Sequence, residues 1–427
     1  MIEHFLQGTY ALFGDPITLL IFIFGVIGGM LFGAIPGVSM LTLAAILLPF
    51  TADLDPAQGV MLFAVIYCTG TYGGAITAIL FNIPGAPENA PTAFDGYPMT
   101  KNGKSGKAVG AAVLCSAIGG VASALVMMWA TEPLANWAIS NIGPPEIFAL
   151  VFFGLAVASS VGGRTIWKGW MSVLLGLMIA TIGQDPVGGI NRYNFGLPDL
   201  AAGIAFVPAI LGFFAVSEIF IQAEKKAFGK YNAPKLNVDF PTFTELWAHK
   251  IAVLRSIIVG FFCGILPGIG ATLAAFMGYG EAVRWSKEKE KFGTGKLEGV
   301  ISSETANNAA TGAAMIPLLA LGLPGGALTA IMVAVFQFHD MEPGPLVFYN
   351  SPELIWVVFA AMFYANVSIL FIGLIETKTI LQLLRIPFTY LAPMILMLAS
   401  IGAYIGRGLV LDVVVMFGAG VLGFLLR

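Results

Sequence analysis

Charged residues are scarce in this chain. Only 11% of its 427 residues are Asp, Glu, Lys or Arg, and 58% are hydrophobic, whereas a soluble domain carries roughly 25% charged residues. Many apolar runs reach the roughly 20 residues that an α-helix needs to cross a bilayer. The short alternating segments of a membrane β-barrel are absent. The composition therefore predicts an all-α polytopic membrane protein that is embedded in a lipid bilayer.

The residues and motifs of most enzymes are also missing. The three cysteines lie in apolar runs and the three histidines lie in loops or at the ends of runs, so the spacing indicates neither a disulfide framework nor a zinc site. No H-E-x-x-H helix and no Walker A motif is present. The net charge of −3 gives no indication of nucleic-acid binding. We therefore expect a protein that is not an enzyme and that needs no organic cofactor.

One motif is present twice. Residues 29–37 read GMLFGAIPG and residues 260–268 read GFFCGILPG, so both spell G-x-x-x-G-x-x-P-G. Further along each half, residues 71–85 (TYGGAITAILFNIPG) and 311–325 (TGAAMIPLLALGLPG) run from a Thr to a second Pro-Gly at the same spacing. Interrupted hydrophobic segments at corresponding positions of two halves are typical of the binding site of a secondary transporter.

The loop charges indicate that the two repeats have opposite orientations. In the first half the loop with Asp53 and Asp55 is acidic and the next loop, at 101–107, is basic; in the second half the loop at 281–304 is basic and the next, at 339–342, is acidic. Cytoplasmic loops are enriched in Lys and Arg. The reversed order predicts two inverted-topology repeats.

The boundaries of the repeats follow from a polar segment in the middle of the chain. We assign residues 1–222 to the first transmembrane repeat, 223–250 to a polar, basic cytoplasmic linker and 251–427 to the second repeat. Because the basic segments on both sides of residues 251–280 should lie in the cytoplasm, this run must enter and return on one face. The sequence therefore predicts a re-entrant hairpin or broken helix pair in each repeat, followed by a second helix that is interrupted at its Pro-Gly.

The candidate binding residues lie at and beside the four Pro-Gly breaks. Proline removes a backbone donor and glycine permits unusual dihedral angles, so a break frees helix N-termini for an anion and carbonyl groups for Na⁺. We expect sodium ligands from the backbone near Gly37, Gly85, Gly268 and Gly325. The candidate substrate- and ion-binding residues are Pro36, Gly37, Ser39, Thr71, Asn82, Pro84, Gly85, Pro267, Gly268, Gly270, Thr272, Asn307, Asn308, Thr311, Pro324 and Gly325.

Several features have a simpler interpretation as well. A single G-x-x-x-G is usually a helix-packing face, and a single Pro-Gly is usually a kink or a loop; the repetition at matched spacing favours a site. Glu304 and the pair Glu88-Asn89 are as consistent with loop residues or helix caps as with ligands. Asp412 lies alone in the last apolar run, either as a functional acid or near the membrane interface, and is left out of the site.

Two long stretches carry a resemblance to a known family. YGGAITAILFNIPGAPENAPTAFDGYPM and ETANNAATGAAMIPLLALGLPGG, together with the first Pro-Gly motif, resemble the large membrane subunit of tripartite tricarboxylate transporters, the TctA family, and the resemblance covers essentially the whole chain. It implies a multi-pass permease of the bacterial inner membrane that works with a small membrane subunit (TctB-like) and a periplasmic solute-binding protein (TctC-like). It also implies secondary active import of carboxylates such as citrate by symport with Na⁺ or H⁺.

The chain departs from the family pattern in two places. Family members usually continue beyond the position of Arg427, so we expect further helices that are missing here. Ser39 stands where the pattern Pro-Gly-x-Gly would place Gly, whereas the second copy keeps this glycine as Gly270. The alternative function is a stand-alone organic-anion channel or exporter that needs no binding protein.

Overall fold

The computed structural model describes residues 1–35, 39–161, 166–185, 188–224, 241–266, 270–383 and 388–426. The described part of the first half contains ten helices: α1 (Ile2–Gly14), α2 (Pro16–Ala34), α3 (Met40–Leu47), α4 (Pro56–Phe81), α5 (Ala90–Lys101), α6 (Ser105–Asn141), α7 (Pro144–Val161), α8 (Ile166–Ala180), α9 (Phe206–Ile210) and α10 (Ser217–Glu224). A π-helical section, Leu211–Val216, joins α9 to α10. The two-residue strands β1 (Gly183–Gln184) and β2 (Asn191–Arg192) pair antiparallel after α8.

The described part of the second half is also helical. It contains α11 (Phe243–Ala248), α12 (Lys250–Ile265), α13 (Gly270–Trp285), α14 (Leu297–Leu321), α15 (Ala327–Phe338), α16 (Val347–Asn350), α17 (Pro352–Leu383), α18 (Phe388–Ile405) and α19 (Val410–Leu425). Most of the predicted linker between the halves, residues 225–240, lies outside the described residues.

Five helical segments of the described chain are long and apolar enough to cross a membrane: Pro16–Ala34, Pro56–Phe81, Ser105–Asn141, Phe206–Glu224 and Pro352–Gly373. Each of them has at least the roughly 17 residues that an α-helix needs to cross the hydrocarbon core. Large apolar side chains such as Leu20, Trp129 and Met178 are exposed on the molecular surface, where lipid would cover them. The prediction of an all-α polytopic membrane protein is therefore confirmed.

The first G-x-x-x-G segment packs α2 along α4. A Cβ atom built on Gly33 would lie 2.3 Å from the carbonyl oxygen of Gly70, and one built on Gly25 would lie 3.1 Å from Val65. Contacts therefore advance along both helices together, so α2 and α4 run in the same direction. Glycine at these positions lets the two backbones approach as closely as they do.

Beyond the first Pro-Gly the chain runs back along α4. Met40, at the start of α3, lies against Gly70, whereas Thr51, in the 3₁₀ turn that extends α3, lies against Gly59 near the start of α4. These contacts descend along α4 as the chain advances. Because α2 and α3 thus run in opposite directions, they form a hairpin around residues 36–38, which themselves lie outside the described residues.

The second half contains the corresponding hairpin. Gly264 of α12 lies against Ala310 of α14, and Gly260 lies against Ala306, so these helices run in the same direction. Gly278 of α13 lies against Ser302, near the start of α14, which is the reverse order. The helices α12 and α13 therefore run in opposite directions as well; residues 267–269, between them, lie outside the described residues.

The duplicated sequence corresponds to a duplicated packing arrangement. When Thr71 is aligned with Thr311, the contacts of the first half fall on the contacts of the second: Gly29–Ile66, Gly33–Gly70 and Gly85–Gly74 correspond to Gly260–Ala306, Gly264–Ala310 and Gly325–Ala314. The next long helix after each interrupted helix packs against the opposite half, because α6 packs along α14 and α17 packs along α4. As a result, α4 and α14 form the buried centre of the described molecule.

Candidate functional site

The centre of the fold is unusually polar for a membrane protein. The apolar parts of α4 and α14 are buried over almost their whole length, yet both helices place uncharged polar or acidic side chains in this interior. Polar groups at such depth are expensive in a membrane protein and mark functional positions by default. The fully buried ones are Thr69, Thr71 and Thr77 of α4 and Ser302, Ser303, Glu304, Thr305, Asn307, Asn308 and Thr311 of α14.

The two central helices touch at corresponding positions. The amide Nδ2 of Asn308 donates to the carbonyl oxygen of Cys68 at 3.3 Å, and it also lies 3.4 Å from Oδ1 of Asn366 on α17. The Sγ atom of Cys68 lies 3.7 Å from the hydroxyl of Thr311, which donates to the carbonyl of Asn308 at 2.8 Å. Two predicted site residues, Asn308 and Thr311, therefore meet α4 at the crossing of the two halves.

Glu304 is surrounded by neutral donors. Ser116 of α6 donates to its Oε2 at 2.9 Å, Asn307 donates to its Oε1 at 3.3 Å, and the hydroxyl of Thr92 contacts Oε1 directly. No Lys or Arg of the described residues forms an ion pair with it. The sequence predicts a loop over residues 281–304; this prediction is wrong for Glu304, because α14 begins at Leu297 and Glu304 lies within the helix.

The first interrupted helix ends in a compact turn. Asn82 stops α4 in the left-handed conformation (φ 59°), as Gly322 stops α14 (φ 74°). Gly85 follows and donates its N–H to the carbonyl of Gly74 at 3.3 Å. The Nδ2 atom of Asn89, in the 3₁₀ turn before α5, donates to the carbonyl of Thr71 at 2.8 Å. The turn is therefore folded back onto α4.

This turn also reaches the second hairpin. The Oε2 atom of buried Glu88 accepts from the hydroxyl of Thr272 at 3.5 Å. A Cβ built on Gly270 would lie 3.6 Å from the carbonyl oxygen of Gly325 and 3.9 Å from the hydroxyl of Tyr67. Four predicted residues or their neighbours, from three different breaks, are thus brought within one region.

Not every predicted residue faces this region. Asn82 is exposed, and Pro84 and Pro324 are half-buried. The Thr71 hydroxyl is used within α4, where it donates to the carbonyl of Tyr67 at 2.8 Å. Ser39 is half-buried at the N-cap of α3 with φ −88°, whereas Gly270 has φ +57°, which explains why only the second copy needs glycine there. Pro36, Gly37, Pro267 and Gly268 lie outside the described residues.

The sequence did not predict some of the buried polar residues that contact Glu304 and Asn308. Thr92, Ser116 and Asn366 join this cluster from α5, α6 and α17, and they are fully or almost fully buried. Their contacts with α14 bridge long sequence separations, so no local pattern predicts them. The only available signal was the polar string ETANN inside a run that ends in an apolar stretch.

Asp412 has a local role. It is buried in the first turn of α19, where its Oδ2 accepts from Nε of Arg407 at 2.9 Å and its Oδ1 contacts the same guanidinium. The carboxylate also lies at a helix N-terminus, where a negative charge is favourable. Asp412 is therefore one half of an ion pair that fixes the turn before α19.

A second buried carboxylate ties a polar loop to α5. Oδ1 of Asp95 accepts the backbone N–H groups of Gly293, Gly295 and Lys296 at 2.8–2.9 Å. Its Oδ2 accepts from the hydroxyl of Tyr279 at 3.0 Å. The loop before α14 is thereby held against the first half.

Outside the apolar segments, Glu245 of α11 is paired with Lys107 at the start of α6, 2.5 Å apart. The hydrogen bond from Lys107, with a further bond from the N–H of Thr242, lowers the pKa of Glu245 to about 2. This ion pair connects the segment before the second hairpin to α6.

The fold and the cluster define a class of protein. Glycine-packed hairpins, two interrupted helices and uncharged polar groups at their crossing are typical of secondary transporters. The described residues contain no group of three His, Cys, Asp or Glu side chains placed to hold a metal ion.

Comparison with known sequences places the chain in a family. Residues 19–427 match the tripartite tricarboxylate transporter TctA family, and the chain belongs to it. This confirms the predicted resemblance and points to a component of a tricarboxylate transporter. The family is one of transporter subunits rather than enzymes, and its membership implies that further subunits take part.

Two relatives come from Agrobacterium vitis. A protein described as "Uncharacterized 52.8 kDa protein in TAR-I ttuC' 3'region" is 36% identical over 418 residues, which is 96% of this chain and 82% of the relative. A second, described as "Uncharacterized protein in TAR-II ttuC' 3'region", is 37% identical over 167 residues, which is 39% of this chain and 69% of the relative. No solved structure matches the chain significantly.

Proposed function

We propose that this chain is the large permease subunit of a binding-protein-dependent secondary transporter. It imports carboxylates, namely citrate-like tricarboxylates or related organic acids, and is driven by a Na⁺ or H⁺ gradient. The observation that carries the proposal is the crossing of α4 and α14, where buried Asn308 and Thr311 meet Cys68. Family membership supports the same conclusion.

The substrate carboxylates are held by neutral donors and helix ends. The N-termini of α3, α13 and α15 follow three of the breaks and present free N–H groups with partial positive charge. Backbone carbonyls near Gly85 and Gly325 ligate Na⁺ in this proposal, as do those near Gly37 and Gly268 at the hairpin turns. Asn307, Asn308 and Thr272 supply side-chain contacts.

The two halves are inverted-topology repeats in this proposal. The matched glycine contacts support a repeat, and the reversed loop charges support opposite insertion. Each hairpin then enters and leaves on one membrane face, the first from outside and the second from the cytoplasm. Rocking or sliding of the hairpin-bearing part exposes the central site to each side in turn.

The remaining components follow from the family. A periplasmic solute-binding protein delivers the substrate, a small membrane subunit completes the complex, and the assembly lies in the bacterial inner membrane. The binding protein then sets much of the substrate selectivity, so one permease can serve several carboxylates.

The decisive experiment is uptake by proteoliposomes that contain the permease and the small subunit, with the binding protein outside. Radiolabelled citrate and related di- and tricarboxylates are offered with an inward Na⁺ gradient, with an inward H⁺ gradient, with neither gradient, and with ATP alone. We expect gradient-driven uptake that requires the binding protein and ignores ATP. Uptake without the binding protein would instead support a stand-alone channel or exporter.

A further inference from the structure

Glu304 is a buried carboxyl group with no basic partner among the described residues. Its side chain is fully buried, and its contacts in the described chain are with the neutral groups of Thr92, Ser116, Asn307 and Asn89. Neutral donors satisfy the oxygen lone pairs but do not cancel the charge. A buried charge is usually paired with an opposite charge or with a metal ion.

The two neighbouring amides leave their oxygens unused. Carboxylate oxygens only accept hydrogen bonds, so the amides of Asn307 and Asn89 must turn their NH₂ groups towards Glu304. The second N–H of Asn89 is used by the carbonyl of Thr71. This leaves the Oδ1 atoms of Asn307 and Asn89, and both are buried without any hydrogen-bond partner. Two buried, unpartnered acceptors, on two residues that both contact a carboxyl group without a basic partner, are the complement of a cation.

The donor set identifies the kind of cation. One carboxylate and neutral amide and hydroxyl oxygens supply a single negative charge, and the described residues bring no group of three acidic, His or Cys side chains together. Divalent cations usually take several carboxylates, whereas one carboxylate balances one monovalent ion. The oxygens are hard ligands, and they come from side chains that the chain already orients.

We infer that Glu304, Asn307 and Asn89 form a binding site for one Na⁺, with the two amide Oδ1 atoms as ligands and the Glu304 carboxylate as counter-charge. This site differs from the backbone carbonyls invoked above, and the inference rests on the proposed transport function because it assigns a coupling ion. The site joins the turn after α4 to the N-terminal half of α14. Occupancy by Na⁺ therefore links the interrupted helix of one half to the central helix of the other.

The test is ion-dependent thermal unfolding of the purified full chain in detergent, without substrate or partners. We expect NaCl at about 100 mM to raise the unfolding midpoint by at least about 2 °C over choline chloride or KCl at equal ionic strength. Glu304→Gln, which keeps size and removes charge, and Asn307→Ala, which removes one ligand, should each abolish this Na⁺-specific shift. Glu298→Gln is the matched control on the same helix; Glu298 pairs with Lys296 at 3.3 Å outside the cluster, so its shift should be retained.

The same variants can also refute the inference. If Na⁺ raises the unfolding midpoint of Asn307→Ala as much as that of the unmodified chain, the inference is overturned, even if Glu304→Gln does not fold. The inference is also overturned if Na⁺ does not raise the unfolding midpoint of the unmodified chain. It is overturned as well if the midpoint changes with pH but not with Na⁺ and Glu304→Gln removes that pH dependence, because Glu304 would then bind a proton. Since the assay needs neither substrate nor binding protein, H⁺-driven uptake with no Na⁺ binding would refute this site and leave the proposed function standing.

Discussion

Asn308 donates a hydrogen bond to the carbonyl oxygen of Cys68, and these two residues occupy the same position in the two halves of the chain. The donor–acceptor distance is 3.3 Å, and both residues are fully buried. When Thr71 is aligned with Thr311, Cys68 falls on Asn308. Equivalent positions can touch directly only where two related halves meet, so this contact lies at the point about which the duplication is organised.

Removing the Asn308 amide should weaken the contact between the two halves. Asn308→Ala leaves the Cys68 carbonyl and Oδ1 of Asn366 without this donor, and an unsatisfied buried polar group costs about 1–3 kcal/mol. We expect a lower unfolding midpoint in detergent and reduced carboxylate uptake. Asn141→Ala is the control, because the Asn141 amide bonds only to Trp137 at an exposed helix end, and such changes are usually within about 0.5 kcal/mol. Equal midpoints for the two variants would contradict the central role of Asn308.

Replacing a glycine of the duplicated motif by alanine should destabilise the protein to the same extent in both halves. A Cβ added at Gly33 would lie 2.3 Å from the Gly70 carbonyl oxygen, and one at Gly264 would lie 2.6 Å from that of Ala310. Because both neighbours are backbone atoms, Gly33→Ala and Gly264→Ala force helices apart, and overpacking of this kind costs about 1–3 kcal/mol. Thermal unfolding of the purified variants gives the comparison.

Gly280→Ala supplies the contrast on the second hairpin. A Cβ there meets nothing within 4 Å, so the substitution should be neutral or stabilise the helix by up to about 1 kcal/mol. If Gly264→Ala were as stable as Gly280→Ala, the close approach of α12 to α14 would be wrong.

These glycines also show how far the sequence can predict the fold. The spacing G-x-x-x-G alone indicates a helix face that packs against another backbone, and Gly33 and Gly264 do so. The Pro-Gly pairs indicate where helices stop, and α4 and α14 end three residues before the proline of each pair. Local chemistry therefore predicts the elements and their interruptions, because proline and glycine act within one turn of helix.

The interior of the site was less predictable. Glu304 follows a highly charged segment in the sequence. It lies within a buried helix only because α14 begins as early as Leu297. The contacts of Asp95 with residues 293–296 fix the start of α14 there. Ser116 reaches Glu304 only because α6 packs on the opposite half. Such contacts depend on tertiary packing rather than on local propensity.

Outside the inferred Na⁺ site, Asp95 should be one of the polar residues whose substitution destabilises the fold most. Asp95→Ala leaves three backbone N–H groups and the Tyr279 hydroxyl without their acceptor. Hydrogen bonds to a charged group are worth about 1.5–3 kcal/mol each, although the loop can recover part of this by hydration. We therefore expect Asp95→Ala to lower the free energy of unfolding by several kcal/mol and to speed hydrogen exchange of residues 289–296. Asp53→Ala, at an exposed carboxylate, should change neither quantity.

The ion pair of Lys107 and Glu245 should respond to pH and salt. The pKa of Glu245 is lowered to about 2 by the bond from Lys107, whereas an unperturbed Glu titrates near about 4.3. Its stabilisation is therefore complete above about pH 4.3 and is lost as the pH falls through about 2. Because both side chains are partly exposed, salt should weaken the pair at neutral pH.

Hydrogen exchange of residues 241–249 measures this contact. Lys107→Ala should exchange as fast at low salt as the unmodified chain does at high salt or near pH 2, after correction for intrinsic rates. The charge-reversed pair Lys107→Glu with Glu245→Lys should restore protection. Protection that ignores salt, pH and Lys107→Ala alike would show that apolar packing, not the ion pair, holds α11.

The proposed inversion of the two repeats makes a prediction about four loops at once. Asp53 follows the first hairpin and Asp340 follows α15. Lys101 is the last residue of α5 and Lys287 follows α13; all four residues are exposed. If the repeats are inserted in opposite orientations, the two acidic positions lie outside and the two basic positions lie in the cytoplasm. The three native cysteines are buried, so cysteines introduced singly at these positions can be labelled over a low background. A membrane-impermeant maleimide should then label Asp53→Cys and Asp340→Cys in spheroplasts, and Lys101→Cys and Lys287→Cys only in inside-out vesicles. Labelling of positions 53 and 287 from the same face would refute the inversion, because a parallel repeat places the loops after both hairpins on one side.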